Sequence, residues 1–93
     1  MSEVSLDLGL GDRLTERQRE VLVCMAQGMT NTMIAESLYL SPRSVEREIA
    51  RARAVFRTES REVLLLLAYH AGVVTDAHLK VHIARLCDSC ESL

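Results

Sequence analysis

Residues 30–57, TNTMIAESLYLSPRSVEREIARARAVFR, carry the two helix starts that decide the fold. Thr30 is a hydroxyl cap for a helix of about two turns, and Ser41 is followed by a proline, which is favoured at the first position of a helix. The second helix should end near Phe56. Only residues 39–41 separate the two helices, which is the length of the turn in a helix-turn-helix. The stretch therefore predicts that motif. Other small helical bundles have the same spacing between helices.

The second helix of this pair, 42–57, has two chemically different faces. On a wheel of about 100° per residue, four apolar side chains fall within about 60° and predict the buried stripe: Val45, Ile49, Ala52 and Phe56. The opposite ridge consists of arginines with alanines between them: Arg43, Arg47, Arg51, Ala50 and Ala54. A guanidinium matches guanine O6 and N7, and short side chains allow close approach. This face predicts a recognition helix in a DNA major groove, with a phosphate at the start that Ser41 caps. The alternative is that these arginines only keep an exposed helix soluble.

A further helix precedes this pair. Thr15 and Gln18 form a capping-box pattern, and Gly28 is a natural helix end. Cys24 lies among the apolar residues of this helix and should belong to the core. In the next helix, 31–38, three residues are expected to point inward: Met33, Ile34 and Leu38.

Two helices are expected after the pair. Ser60 opens a leucine-rich helix over 61–70. Asp76 can cap a fifth helix with three apolar residues along one face: Leu79, Ile83 and Leu86.

The composition indicates one small helical domain. The chain has 93 residues, 48% of them hydrophobic but only 3% aromatic, with one proline. A core of Leu, Val, Ile, Met and Ala suits packed helices better than a sheet. We therefore expect an all-α bundle of four to five helices. Its parts are a flexible leader (1–12), a helix-turn-helix domain (13–74) and a C-terminal helical extension (75–93).

Charge is distributed unevenly along the chain. The net charge is −2, which alone argues against a nucleic-acid binder. Residues 43–61, however, hold six arginines against three glutamates, a local balance of +3. Because charges beyond about 8–10 Å are screened at cellular salt, an anionic partner responds to this local field. The middle of the chain is therefore the expected anion-binding region.

A family resemblance covers about residues 14–74. The run LTERQREVLVCMAQGMTNTMIAESLYLSPRSVEREIARARAVF, followed by SREVLLLLAYHAGV, resembles the LuxR-type (GerE) DNA-binding domain of bacterial regulators. The matching features include Leu14-Thr15, Val21-Leu22, Ala26-Gln27-Gly28, Thr30-Asn31, Ile34-Ala35, Ser44-Val45 and Ser60-Arg61.

The resemblance implies a LuxR C-terminal-like domain of four helices. In that family the second and third helices form the reading unit, and the fourth often pairs subunits. The resemblance implies that Glu46, Arg47 and Ala50 face bases. It implies that Thr30, Asn31, Ser44 and Arg51 lie near phosphates. Together with Arg43 and Ser41, these residues form the predicted DNA-binding set.

Three positions depart from the family pattern. Members commonly carry Lys or Arg where this chain has Glu46, and His where it has Glu48. A carboxylate can accept a hydrogen bond from cytosine N4, so Glu46 can change base preference. The favoured alternative is that Glu46 pairs with a nearby arginine (Arg53 or Arg57) and has no effect on binding. The glycine that usually follows the third helix is replaced near Arg57-Thr58, which predicts a reshaped turn there.

The run of four leucines in the fourth helix, 64–67, is apolar most of the way around and must be covered. Either the fifth helix or a second subunit covers it, and family analogy favours a homodimer. The predicted dimer interface consists of Leu64, Leu65, Leu67 and Ala68. A symmetric dimer would place two recognition helices about 34 Å apart on an inverted repeat. The extension at 75–93 can strengthen this interface or dock another protein.

The C-terminal region contains a zinc-compatible set of side chains: His78, His82, Cys87 and Cys90. Two His four residues apart share one helix face, which is good ligand geometry. The order of the ligands is unusual, however, and little chain separates the second His from the first Cys. We therefore expect no metal or other cofactor, with Cys90 packing as a small apolar side chain or lying at a frayed end.

These observations predict a stand-alone DNA-binding transcriptional regulator. No glycine-rich phosphate loop or nucleophile elbow is present, so no enzymatic activity is expected. The N-terminal residues lack a signal-peptide pattern and no apolar stretch is long enough to span a bilayer, so we expect a cytoplasmic protein. The alternatives are a fold related to sigma-factor region four, and a protein-interaction module that keeps the helix-turn-helix but binds DNA weakly or not at all.

Overall fold

The structure, a computed structural model, describes residues 11–81 and 83. A 3-10 turn at Gly11–Arg13 leads into four α-helices, which are α1 (Glu16–Ala26), α2 (Asn31–Leu38), α3 (Pro42–Phe56) and α4 (Arg61–His70). Residues 76–81 are also helical, and no strand occurs in this part of the chain. The predicted all-α fold is confirmed. Most of the expected leader (1–12) and the end of the extension (75–93) lie outside the described residues.

The helix starts are set by the side chains that the sequence indicates. Thr15 and Gln18 complete a capping box, because the Gln18 N–H donates to Thr15 Oγ1 at 3.1 Å and the Thr15 N–H donates to Gln18 Oε1 at 3.0 Å. Thr30, Ser41 and Ser60 each accept from a backbone N–H three residues ahead. Each side chain satisfies one of the N–H groups that a helix leaves unpaired at its start.

The cap of the last helical segment lies one residue earlier than expected. The Thr75 carbonyl accepts from the N–H groups of His78 and Leu79, and Asp76 is already helical. Asp76 instead accepts a hydrogen bond from the Tyr69 hydroxyl at 2.8 Å, which ties this segment to the end of α4. Of the expected inward face, Leu79 packs against the core, Ile83 is exposed, and Leu86 is outside the described residues.

Helix α3 lies at the centre of the domain and packs against α1, α2 and α4. Its buried residues are those of the predicted stripe: Val45, Ile49, Ala52 and Phe56. The largest fully buried side chains of the core are Leu22, Ile34, Leu64, Val21, Val45 and Val74. Cys24 is also buried, as expected. Since one face of α3 is used by three neighbouring helices, its opposite face is left to solvent.

One inward residue of α2 was predicted wrongly. Met33 is exposed, whereas Ala35 is buried beside Ile34. The helical period explains the difference, because Ile34, Ala35 and Leu38 share one side of α2 and Met33 points about 150° away from the middle of that side.

Helices α2 and α3 both end on a residue other than glycine in the left-handed conformation. Tyr39 has a φ of 59° and Arg57 a φ of 56°. In each case the next residue donates its N–H to a carbonyl five residues back, Leu40 to Ala35 and Thr58 to Arg53. This is the Schellman pattern that glycine usually allows. The turn after α3 therefore keeps the left-handed cap despite Arg57, and the expected reshaping does not occur.

Within the residues that the structure describes, no helix is both long enough and apolar enough to cross a membrane.

Candidate nucleic-acid interface

The exposed face of α3 carries the predicted ridge. Five residues opposite the buried stripe are exposed: Arg43, Arg47, Arg51, Ala50 and Ala54. At the start of the helix, Ser41 Oγ accepts from the Ser44 N–H at 3.1 Å and donates to Ser44 Oγ at 3.0 Å. The ridge thus begins at an ordered helix cap and extends along the helix over residues 43–54.

Most guanidinium groups of α3 and of the start of α4 have no carboxylate partner among the described residues. Two ion pairs involve α1, where Arg17 contacts Glu20 at 3.2 Å and Arg19 contacts Asp12 of the 3-10 turn at 3.8 Å. On α3, Arg51 is paired to Glu48 at 3.6 Å. Among the described residues, no acid lies within ion-pair distance of the other cations of α3 and the start of α4: Arg43, Arg47, Arg53, Arg57 and Arg61. None of these five positive charges is therefore offset by a direct ion pair within the part of the chain that the structure describes.

Glu48 has a structural role that the sequence did not indicate. Its Oε1 accepts from Gln18 Nε2 at 3.2 Å, and its Oε2 faces Arg51. Gln18 is only 6% exposed and also belongs to the capping box of α1. A continuous set of contacts therefore runs from the start of α1 through Glu48 to Arg51 and limits the directions that this guanidinium can take. The capping pattern revealed Gln18 but not its partner thirty residues away.

Glu46 is exposed and does not form the ion pair that the sequence favoured. Within the described part of the chain, its carboxylate lies within ion-pair distance of no cation. Arg53 instead donates to the backbone carbonyl of Glu59 at 3.2 Å. Glu46 is thus an available hydrogen-bond acceptor beside the arginine ridge.

The predicted phosphate-facing residues of α2 lie at its first turn. Thr30 Oγ1 accepts from the Met33 N–H at 3.2 Å and so caps the helix. The Asn31 side-chain oxygen accepts from Arg61 Nη2 of α4 at 3.3 Å. A small depression of about 110 Å³ lies between α2, α3 and α4; it is lined by Asn31, Glu46, Ile49, Arg53 and Arg61. Arg61 was not among the predicted site residues, because its spacing from Asn31 along the chain gives no sign of the contact.

A second depression, of about 320 Å³, follows the C-terminal half of the ridge. It is lined by Ala50, Arg53, Ala54, Thr58 and Glu59. Because the two alanine side chains are short, another molecule can approach the surface of α3 closely at this point.

The predicted dimer interface on α4 is only partly at the surface. Leu64 and Ala68 are completely buried in the core, so neither has surface for a partner. Leu65 and Leu67 are half-buried against the core. The apolar residues that α4 exposes are Val63, Leu66 and Tyr69. The sequence did not separate the buried from the exposed apolar residues of α4, since periodicity cannot orient a helix that is apolar on nearly every side.

The proposed zinc ligands are mostly outside the described residues. His82, Cys87 and Cys90 fall there. His78 Nδ1 accepts from the Thr75 N–H at 3.1 Å, so this ring nitrogen is engaged at the start of the last helical segment. Among the residues that the structure does describe, no three potential metal ligands cluster.

Comparison with known proteins identifies the same region. The family model described as "Bacterial regulatory proteins, luxR family" matches residues 12–68. The transcriptional regulatory protein FixJ of Azorhizobium caulinodans is 38% identical over 60 residues, which is 64% of this chain and 28% of that protein. The chain thus spans little more than a quarter of this relative's length. No solved structure gives a significant match. The match to the family model covers all of the helix-turn-helix and its supporting helix α1, and the chain belongs to the LuxR family of bacterial regulatory proteins.

Proposed function

We propose that this protein is a sequence-specific transcriptional regulator that places α3 in the major groove of duplex DNA. The exposed arginine ridge opposite the buried stripe carries the proposal, since among the described residues only Arg51 of its three arginines has a carboxylate partner. A duplex presents one negative charge per about 1.7 Å, and its major groove admits one α-helix. A helix whose outer side combines uncompensated guanidinium groups with alanines has the charge and the width for that groove. No catalytic role is part of the proposal.

The side chains of the interface have different roles in this proposal. Arg43, Arg47, Ala50 and Glu46 face the base edges. The residues around the helix starts contact phosphates: Thr30, Asn31, Ser41, Ser44 and Arg51. Arg51 suits this role because Glu48 and Gln18 orient it without enclosing it.

Glu46 restricts which bases the ridge accepts. An ionised carboxylate only accepts hydrogen bonds, and the major groove offers donors at cytosine N4 and adenine N6. Because no cation neutralises Glu46 among the described residues, it repels phosphates and the acceptor edge of guanine. We expect a cytosine or adenine at the base pair it faces.

The protein acts as a dimer on an inverted repeat in this proposal, with two copies of α3 about 34 Å apart. The exposed apolar residues of α4, chiefly Leu66, Val63 and Tyr69, form the contact between subunits. Beside them lies a shallow apolar groove of about 620 Å³. Residues 75–93 extend this contact or bind a further protein. The expected location is the cytoplasm, where the DNA is.

Selection of bound sequences from a random duplex pool tests the proposal. The expected result is an enriched inverted repeat with one position restricted to cytosine or adenine. Affinity should also fall steeply with added salt, since each neutralised phosphate contributes about 0.9 to the slope of log K against log salt. If the protein enriches no sequence and shows no salt-dependent binding, the alternative holds, a protein-interaction module that has the helix-turn-helix fold but does not bind DNA.

A further inference from the structure

We propose that Arg61, the first residue of α4, forms a phosphate-binding site with Asn31 of α2, so that three helices contact the DNA. The ligand is a backbone phosphodiester. This inference rests on the proposed function, because it adds one contact to the same interface.

The first observation is the position of Arg61 against its neighbours. Its Nη2 donates to Asn31 Oδ1 at 3.3 Å, and both residues line the depression between α2, α3 and α4. Glu46 and Arg53 form the α3 side of that depression. On the helical wheel Glu46 lies about 60° from Arg43. A polyanion lying along the exposed face of α3 therefore passes the opening of this depression.

The second observation is the charge that these groups carry. Arg61 and Arg53 are both held by neutral oxygens, one by the Asn31 amide and the other by the Glu59 carbonyl. Neither has a carboxylate within ion-pair distance among the described residues. Both guanidinium groups are thus oriented without a direct ion pair, and their two positive charges exceed the single negative charge of Glu46 in the lining of the same depression. Because the Asn31 oxygen is occupied by Arg61, its Nδ2 remains a donor for a phosphate oxygen.

The third observation is that the helix dipole does not explain a cation at this place. Arg61 occupies the first position of α4, where the helix dipole is positive and favours acidic side chains. Glu62 supplies the favourable charge there and accepts from Ser60 Oγ at 3.2 Å. Arg61 therefore lies at the end of the helix where a cation does not stabilise it, whereas an anionic ligand beside it gains from the guanidinium.

Arg61→Gln tests this site, because glutamine keeps a polar amide but carries no charge. Binding to a random-sequence duplex is measured over a range of salt with the full chain. The expected slope of log K against log salt is shallower by about 0.9, the contribution of one phosphate. Affinity should fall by the same factor for every sequence, since a phosphate contact carries no base information.

Asn31→Asp provides a second variant that does not depend on removing Arg61. A carboxylate at this position would pair with Arg61 and neutralise it, and an acidic residue is favourable at the start of α2. The same decrease in slope is expected while the helical circular dichroism signal is retained.

The matched control is Arg17→Gln, which removes one positive charge from an exposed residue of α1. Arg17 belongs neither to the arginine ridge nor to the lining of the depression beside Arg61. This variant should keep the wild-type slope. If the wild type binds DNA but Arg61→Gln keeps the wild-type slope and affinity, or changes base preference, the phosphate site is overturned and the proposed function stands. If the wild type itself shows no salt-dependent binding, the proposed function fails and the site fails with it.

Discussion

Helices α3 and α4 each bury one face in the same core, but their exposed faces are opposite in chemistry. The outer face of α3 carries Arg43, Arg47 and Arg51, whereas the outer face of α4 carries Val63, Leu66 and Tyr69. An uncompensated positive face is stable in water and attracts an anion. An exposed apolar face gains free energy only when another apolar surface covers it. The comparison indicates two different partners, a polyanion for α3 and a protein surface for α4.

The largest expected effect separates the two sides of α4. Leu64 is fully buried and Leu66 is 66% exposed, although both belong to the same run of leucines. Leu64→Ala should lower the free energy of unfolding by about 2–5 kcal/mol, because it leaves a cavity in the core. Leu66→Ala should change it by no more than about 0.5 kcal/mol. Urea denaturation measures both, and equal losses would contradict the orientation of α4.

A charge on the exposed face of α4 should break the proposed dimer while the fold is kept. With Leu66→Glu, affinity for a duplex containing an inverted repeat should fall by about 10²-fold, since two linked half-sites reinforce one another by at least that factor. Affinity for a single half-site should stay the same. Sedimentation and DNA titration report the two quantities. In sedimentation, Met33→Glu at an exposed residue of α2 is the control for adding a charge to an apolar surface residue.

On α3, Arg47→Ala should reduce affinity for the selected site by about 1–3 kcal/mol and relax preference at one base pair. The oligomeric state should not change, because Arg47 lies on α3, whereas the proposed contact between subunits lies on α4. Arg17→Ala, which removes a guanidinium paired to Glu20 on α1, serves as the control. An Arg47→Ala protein with unchanged affinity for every sequence would remove the base-reading role.

The ends of the two helices provide a smaller contrast in backbone strain. The left-handed residue after α3 is Arg57, while after α4 it is Gly72, with a φ of 84°. A Cβ added at Gly72 would meet nothing within 4 Å, so Gly72→Ala should cost about 1 kcal/mol from the backbone alone. Arg57→Gly should stabilise the protein by about 0.5–1 kcal/mol, because glycine adopts the left-handed conformation without the steric cost of a Cβ. Thermal unfolding of the two variants should therefore shift in opposite directions.

The smallest effect concerns the hydrogen bond at the end of α4. Asp76 accepts from the Tyr69 hydroxyl and raises the pKa of Tyr69, first through this hydrogen bond and then through its charge. Because the raised pKa belongs to the folded state, the added stability is present below the ordinary tyrosine pKa and is lost as pH rises through the folded value. Asp76→Asn should lower the pKa of Tyr69. Absorbance titration in a Tyr39→Phe background, where Tyr69 is the one remaining tyrosine, measures it.

Much of the fold could be predicted because its signals are local. The caps at Thr15, Thr30, Ser41 and Ser60 act within three residues, and the stripe of α3 follows from the helical period alone. Local pattern fails where a helix is apolar on several sides, since the run of leucines in α4 offers more apolar positions than one core can bury. In α2 the helical period itself favours Ala35 over Met33, and the prediction from sequence did not follow it.

For the candidate interface, the sequence by itself determined the arginine ridge of α3, because spacing and burial of one face leave no other place for it. Only the tertiary structure decided which charges are compensated. It joined Glu48 to Gln18, left Glu46 without a cation among the described residues, and placed Arg61 beside Asn31. The physical reason is distance, since a helix sets neighbours three and four residues apart, whereas contacts thirty residues apart depend on how the helices pack.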